Sequence, residues 1–347
     1  LRFDEIRIPA IVDDIRRIAM TGRSYAGESI EPFVSGEQRA LWPDISGNDI
    51  NGLDETTRRQ PSAIYWHPPR RQHPFADVQT WMLRKSSREV PVIADMNTTL
   101  GGRGDKQRAT MDPVREEDTP ESWSTRVKEI ALGNEADLVG IARIEPQWIY
   151  EGYENDLPWI VVFGVEMNHA ELARAPEPES VIEVMRQYNR GTRVARGVAD
   201  WILARGYRAE PEGGPVAGKM PMIPAALACG FGELGKHGSI INRTYGSSFR
   251  LASVLTDLPL VADAPDPIGV DEFCMNCKLC EQACPPDAIA PEKQMVRGEM
   301  KWYVDFDACV PYFNETYGCG ICIAVCPWSR PGIAPKLTEK MARRRKG

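Results

Sequence analysis

Cysteine is almost absent from the first 270 or so residues of this 347-residue chain, where Cys229 stands alone. That absence excludes a disulfide framework spread through the fold, as a secreted scaffold would carry. Long apolar runs are also missing. No stretch approaches the roughly 18 residues that a spanning helix needs, so no intrinsic membrane span is expected. Basic residues are outnumbered, 42 Lys and Arg against 49 Asp and Glu, for a net charge of −7 and a pI near 5.4. The acidic balance argues against a nucleic-acid surface. The opening LRFDEIRIPAIVDDIRRIAM mixes charges throughout and has no apolar core of a leader. The expected location is cytoplasmic; because the chain starts at Leu1, an exported or membrane-associated form whose leader has been removed stays open. A hydrophobic content of 42% supplies a real core, for one large domain or two ordinary ones.

The other eight cysteines are crowded into the last quarter: Cys274, Cys277, Cys280, Cys284, Cys309, Cys319, Cys322 and Cys326. CMNCKLCEQACPP has the C-x2-C-x2-C-x3-C-P spacing of bacterial ferredoxins, in which three thiolates wrap one cluster and the fourth reaches a second. The partner motif is Cys309 followed by CGICIAVCPW, again ending in Cys-Pro. The spacing therefore assigns one [4Fe–4S] cluster to Cys274, Cys277, Cys280 and Cys326, and the other to Cys284, Cys309, Cys319 and Cys322. Zinc is the alternative, since C-x2-C pairs also bind it, but the doubled pattern with proline after each last cysteine favours clusters. Cys229, in AALACG, reads as a small buried apolar residue.

Clusters move electrons, and about 270 residues upstream are there to use them. Residues 1–120 are rich in Pro, Gly and Arg, with helical periodicity only near EIRIPAIVDDIRRIA, and read as an irregular wrapping segment. From Trp123 the pattern is regular: STRVKEIALGNEA as helix, DLVGIARI and LPWIVVFGVEM as strands. PESVIEVMRQYNRGTRVARGVADWILARGY is a long helical region with a candidate break at 189–191, and PMIPAALACGFGELG another helix. SIINRTYGSSFRLASVLTDLPL reads as a β-hairpin turning at Gly246. MARRRKG is a solvated basic tail. GFGELG matches G-x-G-x-x-G, with Asp257 at a ribose-ligand distance, but a dinucleotide site must follow a strand and IPAALAC reads as helix.

GELGKHGSIINRTYGSSFRLASVLTDLPL, DEFCMNCKLCEQACPP and CVPYFNETYGCGICIAVCPWS together resemble the corrinoid- and iron–sulfur-dependent reductive dehalogenases, over roughly residues 180–330. Epoxyqueuosine reductases share a GKH-type loop and TDLPL and are the rival; the C-x9-C-x2-C-x3-CPW spacing is closer to the dehalogenases. The resemblance implies an α+β fold: a nitroreductase-like α/β cobalamin-binding core at 121–270, a ferredoxin-like two-cluster module at 271–332, and a basic tail at 333–347. It implies base-off cobalamin, and none of His67, His73, His169 or His237 lies in a D-x-H-x-x-G motif. Cofactor contacts are expected at Lys236, His237, Gly238, Ser239 and Tyr245. At His237 a turn-capping role is the alternative.

Carried through ADWILARGY and SSFRLASVLTDLPL, the family's proton donor falls on Tyr188 and its cation on Arg250. A guanidinium stabilises a phenolate and eases proton release. Read from the residues alone, the ordinary case is Tyr188 as a packing residue of an amphipathic helix and Arg250 as a surface charge. Where some members carry an Asn after the helix-ending Gly-Tyr, this chain has Gly214. The implied reaction is reductive removal of halide from an organohalide, with reduced cobalt acting on the carbon–halogen unit by a route left open and Tyr188 protonating the carbon. Electrons come through the clusters from a separate low-potential protein: a ferredoxin, flavodoxin or reductase. Candidate pocket walls are Trp123, Trp148, Trp159, Trp302, Tyr312 and Phe313. A non-catalytic electron-transfer protein is the reading from a different class, and bound cobalamin discriminates it.

Overall fold

The computed structural model describes residues 33–68, 73–99, 109–216 and 218–345; the helical periodicity near the N-terminus lies outside them. The centre is a four-stranded sheet of β1 (Leu138–Arg143), β2 (Trp159–Glu166), β3 (Ala209–Glu212) and a last strand, Phe249–Thr256. Between β3 and that last strand lie two short ones, β4 (Glu233–Leu234) and β5 (Ile240–Ile241), so Phe249–Thr256 is β6. The order is β1-β2-β6-β3 and every pairing is antiparallel, as an α+β fold requires. β2 reads as a continuous apolar run because both its faces are covered.

Side chains alternate across the two faces. Val161, Phe163 and Val165 of β2, with Ala252 and Val254 of β6, point to one core. Ile160, Val162, Phe249 and Leu255 point to the other. The first core is closed by the helix Pro120–Gly133, through Trp123 and Val127, and by the long helix Pro178–Leu203, through Val194, Val198 and Ile202. The second is closed by the short helix Met222–Ala228 with Met220 and Phe231. The long helix is unbroken at the expected kink. Gly191 lies against the sheet, and a Cβ there would sit 3.1 Å from the Ala252 Cβ, so the glycine admits a close helix–sheet approach instead of ending the helix.

Three further expectations change. The 239–260 region is not one hairpin: β5 pairs with β4, while β6 inserts between β2 and β3. The helix expected to reach Gly235 ends at Ala228, capped by Cys229 and followed by Gly230 and Gly232 at φ +87° and +118°. The G-x-G-x-x-G run thus follows a helix, not a strand. In the proline-rich beginning, helices Ala76–Glu89 and Pro91–Thr99 form where the sequence shows no helical periodicity, because tertiary contacts supply what the pattern lacks.

The cysteine region is built of short elements: helices Val270–Asn276 and Leu279–Gln282, the ribbon of β7 (Gln294–Val296) and β8 (Glu299–Lys301), and helices Phe306–Glu315, Ile321–Ala324 and Ala334–Arg344. Residues 35–51 are stapled to it. Ser46 Oγ donates to Asp307 at 2.6 Å, the Gly47 N–H donates to the same carboxylate, and Gln38 donates to Glu315. Among the described residues no helix is long and apolar enough to cross a membrane.

One contact joins the sheet core to the cysteine region at a point with no slack. Gly246 has φ +56°, and a Cβ there would lie 2.0 Å from the Trp328 carbonyl oxygen. Gly246→Ala meets both a left-handed backbone and a backbone clash, so we expect a loss of at least about 2 kcal/mol, read as a lowered midpoint in thermal or urea unfolding. An unchanged midpoint would show that this junction yields.

Candidate functional site

The eight clustered thiols fall into two neighbourhoods. The Cys326 thiol feels the charges of Cys274, Cys277 and Cys280. The Cys309 thiol feels Cys319 and Cys284, and Cys322 feels Cys319 and Cys309 first, then Cys280 and Cys284. Each motif's last cysteine therefore stands with the other motif's first three. Burial drives all eight thiol pKa values up: Cys274 and Cys319 to about 11, Cys280 and Cys309 to about 12, Cys322 and Cys326 well above the ordinary thiol range, Cys277 and Cys284 upward as well. Thiolates in such surroundings need cationic charge to be stable. Backbone N–H groups already face them: Ala288 N lies 3.4 Å from Cys284 Sγ. Among the described residues no three His, Cys, Asp or Glu side chains close on a point as they would around a single ion. A cube of iron and sulfide holds its thiolates around a larger volume, and this donor set fits it.

The long helix and β6 build the second part of the site. Tyr188 lies on the sheet-facing stripe of the helix, one turn before Gly191. Arg250 pairs with Val165 across the ladder and shares its face. The two meet: the guanidinium carbon of Arg250 stands 5.5 Å from the centre of the Tyr188 ring. Arg250 Nε is buried without a hydrogen-bond partner.

The pair stands where two cavities meet, and both are also walled by Trp66 and Pro215. One, about 1020 Å³ with its open mouth, is lined further by Phe313, Tyr317 and Cys319. The other, about 970 Å³, reaches Tyr150, Ser239 and Phe249. The first cavity thus runs from the tyrosine to a cysteine of the second motif. Backbone there is unusual: Trp66, Tyr317 and Cys319 have φ of +60°, +55° and +42°, a conformation that concentrates at functional sites.

Of the five expected cofactor contacts, Ser239 lines a cavity. His237 is buried behind it. Its Nδ1 accepts from the Ser239 N–H at 3.2 Å, its Nε2 lies 3.2 Å from Ser247 Oγ, and burial lowers its pKa to about 4. It orients the loop as a neutral ring. Gly238, at φ +75°, makes the turn, and Tyr245 packs at the edge of the second core. Lys236 turns toward the first-motif thiols. None of the four histidines lines either cavity. Among the expected wall aromatics Phe313 does, whereas Trp123 is fully buried in the first core. Trp66, Tyr150, Pro215 and Tyr317 were not anticipated. The aromatic pair before two prolines in YWHPP and the glycines of YGCG are the only local signals for them.

The wall carrying Gly214, Pro215 and Val216 is braced by Glu212, whose Oε1 accepts from Lys219 N at 3.3 Å. Burial raises the Glu212 pKa from 4.5 to about 7. A carboxyl with a raised folded-state pKa holds its proton more tightly folded than unfolded. Its contribution is therefore complete below about pH 4.5 and lost as pH rises through 7, by up to about 3 kcal/mol. Unfolding free energies measured between pH 5 and 8 should show this decline, and Glu212→Gln should flatten it. The same slope in the variant would assign it to another group.

Comparison with known proteins follows the same division. Residues 273–329 match the 4Fe-4S dicluster domain family. A tetrachloroethene reductive dehalogenase of Desulfitobacterium hafniense is 32% identical over 212 residues, covering 57% of this chain and 38% of that protein. A solved reductive dehalogenase, described as suggesting a mechanism for B12-dependent dehalogenation, superposes with a TM-score of 0.61 at 26% identity, over 77% of this chain and 39% of that one. An epoxyqueuosine reductase of Leadbetterella byssophila is 35% identical over 121 residues, 30% of this chain and 35% of its own. The molecule is thus a mixed helix–sheet protein with a 4Fe–4S dicluster domain. More particularly, it is a homologue of the reductive dehalogenases, which are oxidoreductases. The chain spans well under half the length of these dehalogenases.

Proposed function

We propose that this chain is the catalytic part of a cobalamin-dependent reductive dehalogenase, taking an organohalide and replacing its halogen with hydrogen. The observation that carries the reading is Arg250 over the Tyr188 ring in the shared wall of two cavities, one of which also exposes Cys319. The balance is an organohalide plus two electrons and one proton, giving the hydrocarbon and free halide. When bound, base-off cobalamin supplies the reducible cobalt for carbon–halogen cleavage. The confluent cavities, the unpartnered Arg250 Nε and the lack of a lining histidine suit such a group. The nitroreductase-like core, with its bounds at 121–270, belongs to the same proposal, as do the ferredoxin-like module at 271–332 and the separate low-potential donor.

In this reading the Tyr188 hydroxyl gives its proton to the carbon that loses halide, and Arg250 holds the phenolate that forms. Trp66, Phe313 and Tyr317 keep water from the reacting carbon. Ser239, held by His237, offers a polar contact to the cofactor. Cys274, Cys277, Cys280 and Cys326 hold one [4Fe–4S] cluster; Cys284, Cys309, Cys319 and Cys322 hold the other, whose Cys319 faces the cavity.

Reconstitution with iron, sulfide and cobalamin, followed by halide release from an organohalide panel under a low-potential reductant, tests the reading. Turnover of an epoxyqueuosine-bearing tRNA with no halide release would decide for the rival. Tyr188→Phe should keep cobalamin bound and lower the rate about 10²–10⁴-fold. Arg250→Lys should be impaired less than Arg250→Ala, because it keeps the charge and loses the planar fork. Wild-type halide release by loaded Tyr188→Phe would remove the tyrosine from the proton's path.

For the clusters, iron and sulfide analysis should give two cubanes per chain. Cys284→Ala should disturb the cluster of Cys309, Cys319 and Cys322 while sparing the EPR signal of the other. The opposite pattern would undo the crossed assignment.

A further inference from the structure

Lys236 is a cation buried beside thiols, and the reaction proposed above does not use it. Its side chain is 2% exposed. Nζ makes an ion pair of 2.8 Å with Glu281 Oε2 and lies 5.2 Å from the centre of the Trp302 ring. Its charge reaches three thiols of one group, Cys274, Cys277 and Cys280, and its backbone N–H faces Cys274. Lys236 is not among the leading influences on any thiol of the second group. Trp302 in turn donates from Nε1 to Asp271 at 2.9 Å, and Lys293 pairs with that carboxylate at 2.7 Å.

A buried lysine is expensive, and an ion pair that merely replaced apolar packing would bring little net stability. Its position gives it another use. A fixed positive charge in low dielectric favours whichever redox state of a neighbour is more negative. Glu281, which sits next to Cys280 in sequence and holds the Lys236 ammonium, acts in the opposite sense and sets how much of that charge is felt.

We propose that the Lys236–Glu281 pair sets the reduction potential of the cluster at Cys274, Cys277, Cys280 and Cys326, the lysine raising it and the glutamate lowering it. The step is a one-electron transfer from the donor protein to the cluster. No bond forms or breaks, and the cluster with its thiolates becomes more negative by one charge. Of the eight clustered thiols, Cys319 of the second group lines the first cavity and none of the Lys236-side thiols lines either cavity. Lys236 is a positioning residue in this sense; it touches neither substrate nor the cavity. The inference rests on the proposed assignment of the thiols to two clusters.

The test is a redox titration of the iron- and sulfide-reconstituted full chain, following each cluster's EPR signal, with iron content measured on the same samples. Lys236→Met should move one midpoint to more negative values and leave the other in place, at unchanged iron content. Lys236→Arg should restore it in large part. Glu281→Gln, which keeps the lysine and frees its charge, should move the same midpoint in the positive direction. A merely structural pair would not give shifts of opposite sign from its two members. Midpoints unmoved in both variants at full iron loading, or both midpoints moved together, would overturn the proposal. If Lys236→Met does not fold, Glu281→Gln decides alone, since an unmoved midpoint there is equally fatal. Wild-type protein that binds fewer than two clusters would instead refute the thiol assignment and leave no doubt which idea had failed.

Discussion

The register of β6 between β2 and β3 is the constraint on which the rest of the site depends. Side chains on a strand alternate, so sliding β6 by one residue would send Arg250 to the face of the short helix Met222–Ala228 and away from Tyr188. The register is held by burial on both faces: Ala252 and Val254 belong to one core, Phe249 and Leu255 to the other. Gly191 then brings the long helix close enough for its preceding turn to carry Tyr188 over the guanidinium. A pair drawn from residues 62 positions apart in sequence is thereby brought into contact by helix–sheet packing.

The cysteine region obeys a different physics. Its elements are too short to be stable alone, and their shared apolar cluster includes the thiols of Cys274 and Cys326 beside Phe273, Trp302, Trp328, Leu337 and Met341. Burial lifts every clustered thiol's pKa, so the protein alone disfavours the thiolates that metal binding requires. Iron charge, backbone N–H groups and the Lys236 ammonium are the compensations the surroundings offer. The same low dielectric that makes the thiolates costly makes a single buried lysine effective.

Much of the chemistry was legible in sequence because it is local. Four cysteines spaced by two, two and three residues, followed by proline, need no tertiary information to suggest a cluster, since the ligands lie within a loop and a turn of helix. The strands of DLVGIARI and LPWIVVFGVEM were legible from apolar runs, and so was the long helix. The pairing of Tyr188 with Arg250 came from a resemblance and not from any pattern in the residues, since a helix tyrosine and a strand arginine are ordinary alone. The cavity walls were hidden. Trp66, Tyr150, Pro215 and Tyr317 come from four separate segments, and Trp66 lies in a stretch whose composition suggested only wrapping.

Sequence by itself determined the two cysteine motifs, the apolar run that makes β2 a buried strand, and the apolar stripe of the long helix, all set by interactions within a few residues. Tertiary structure alone decided three things. It decided that Gly191 closes a helix–sheet contact instead of breaking a helix, that β6 leaves its expected hairpin partner for the middle of the sheet, and that Lys236 faces thiols while Ser239, three residues on, faces a cavity. Each depends on which surface the rest of the chain presents at that point, and a one-dimensional pattern carries no record of the neighbour across the gap.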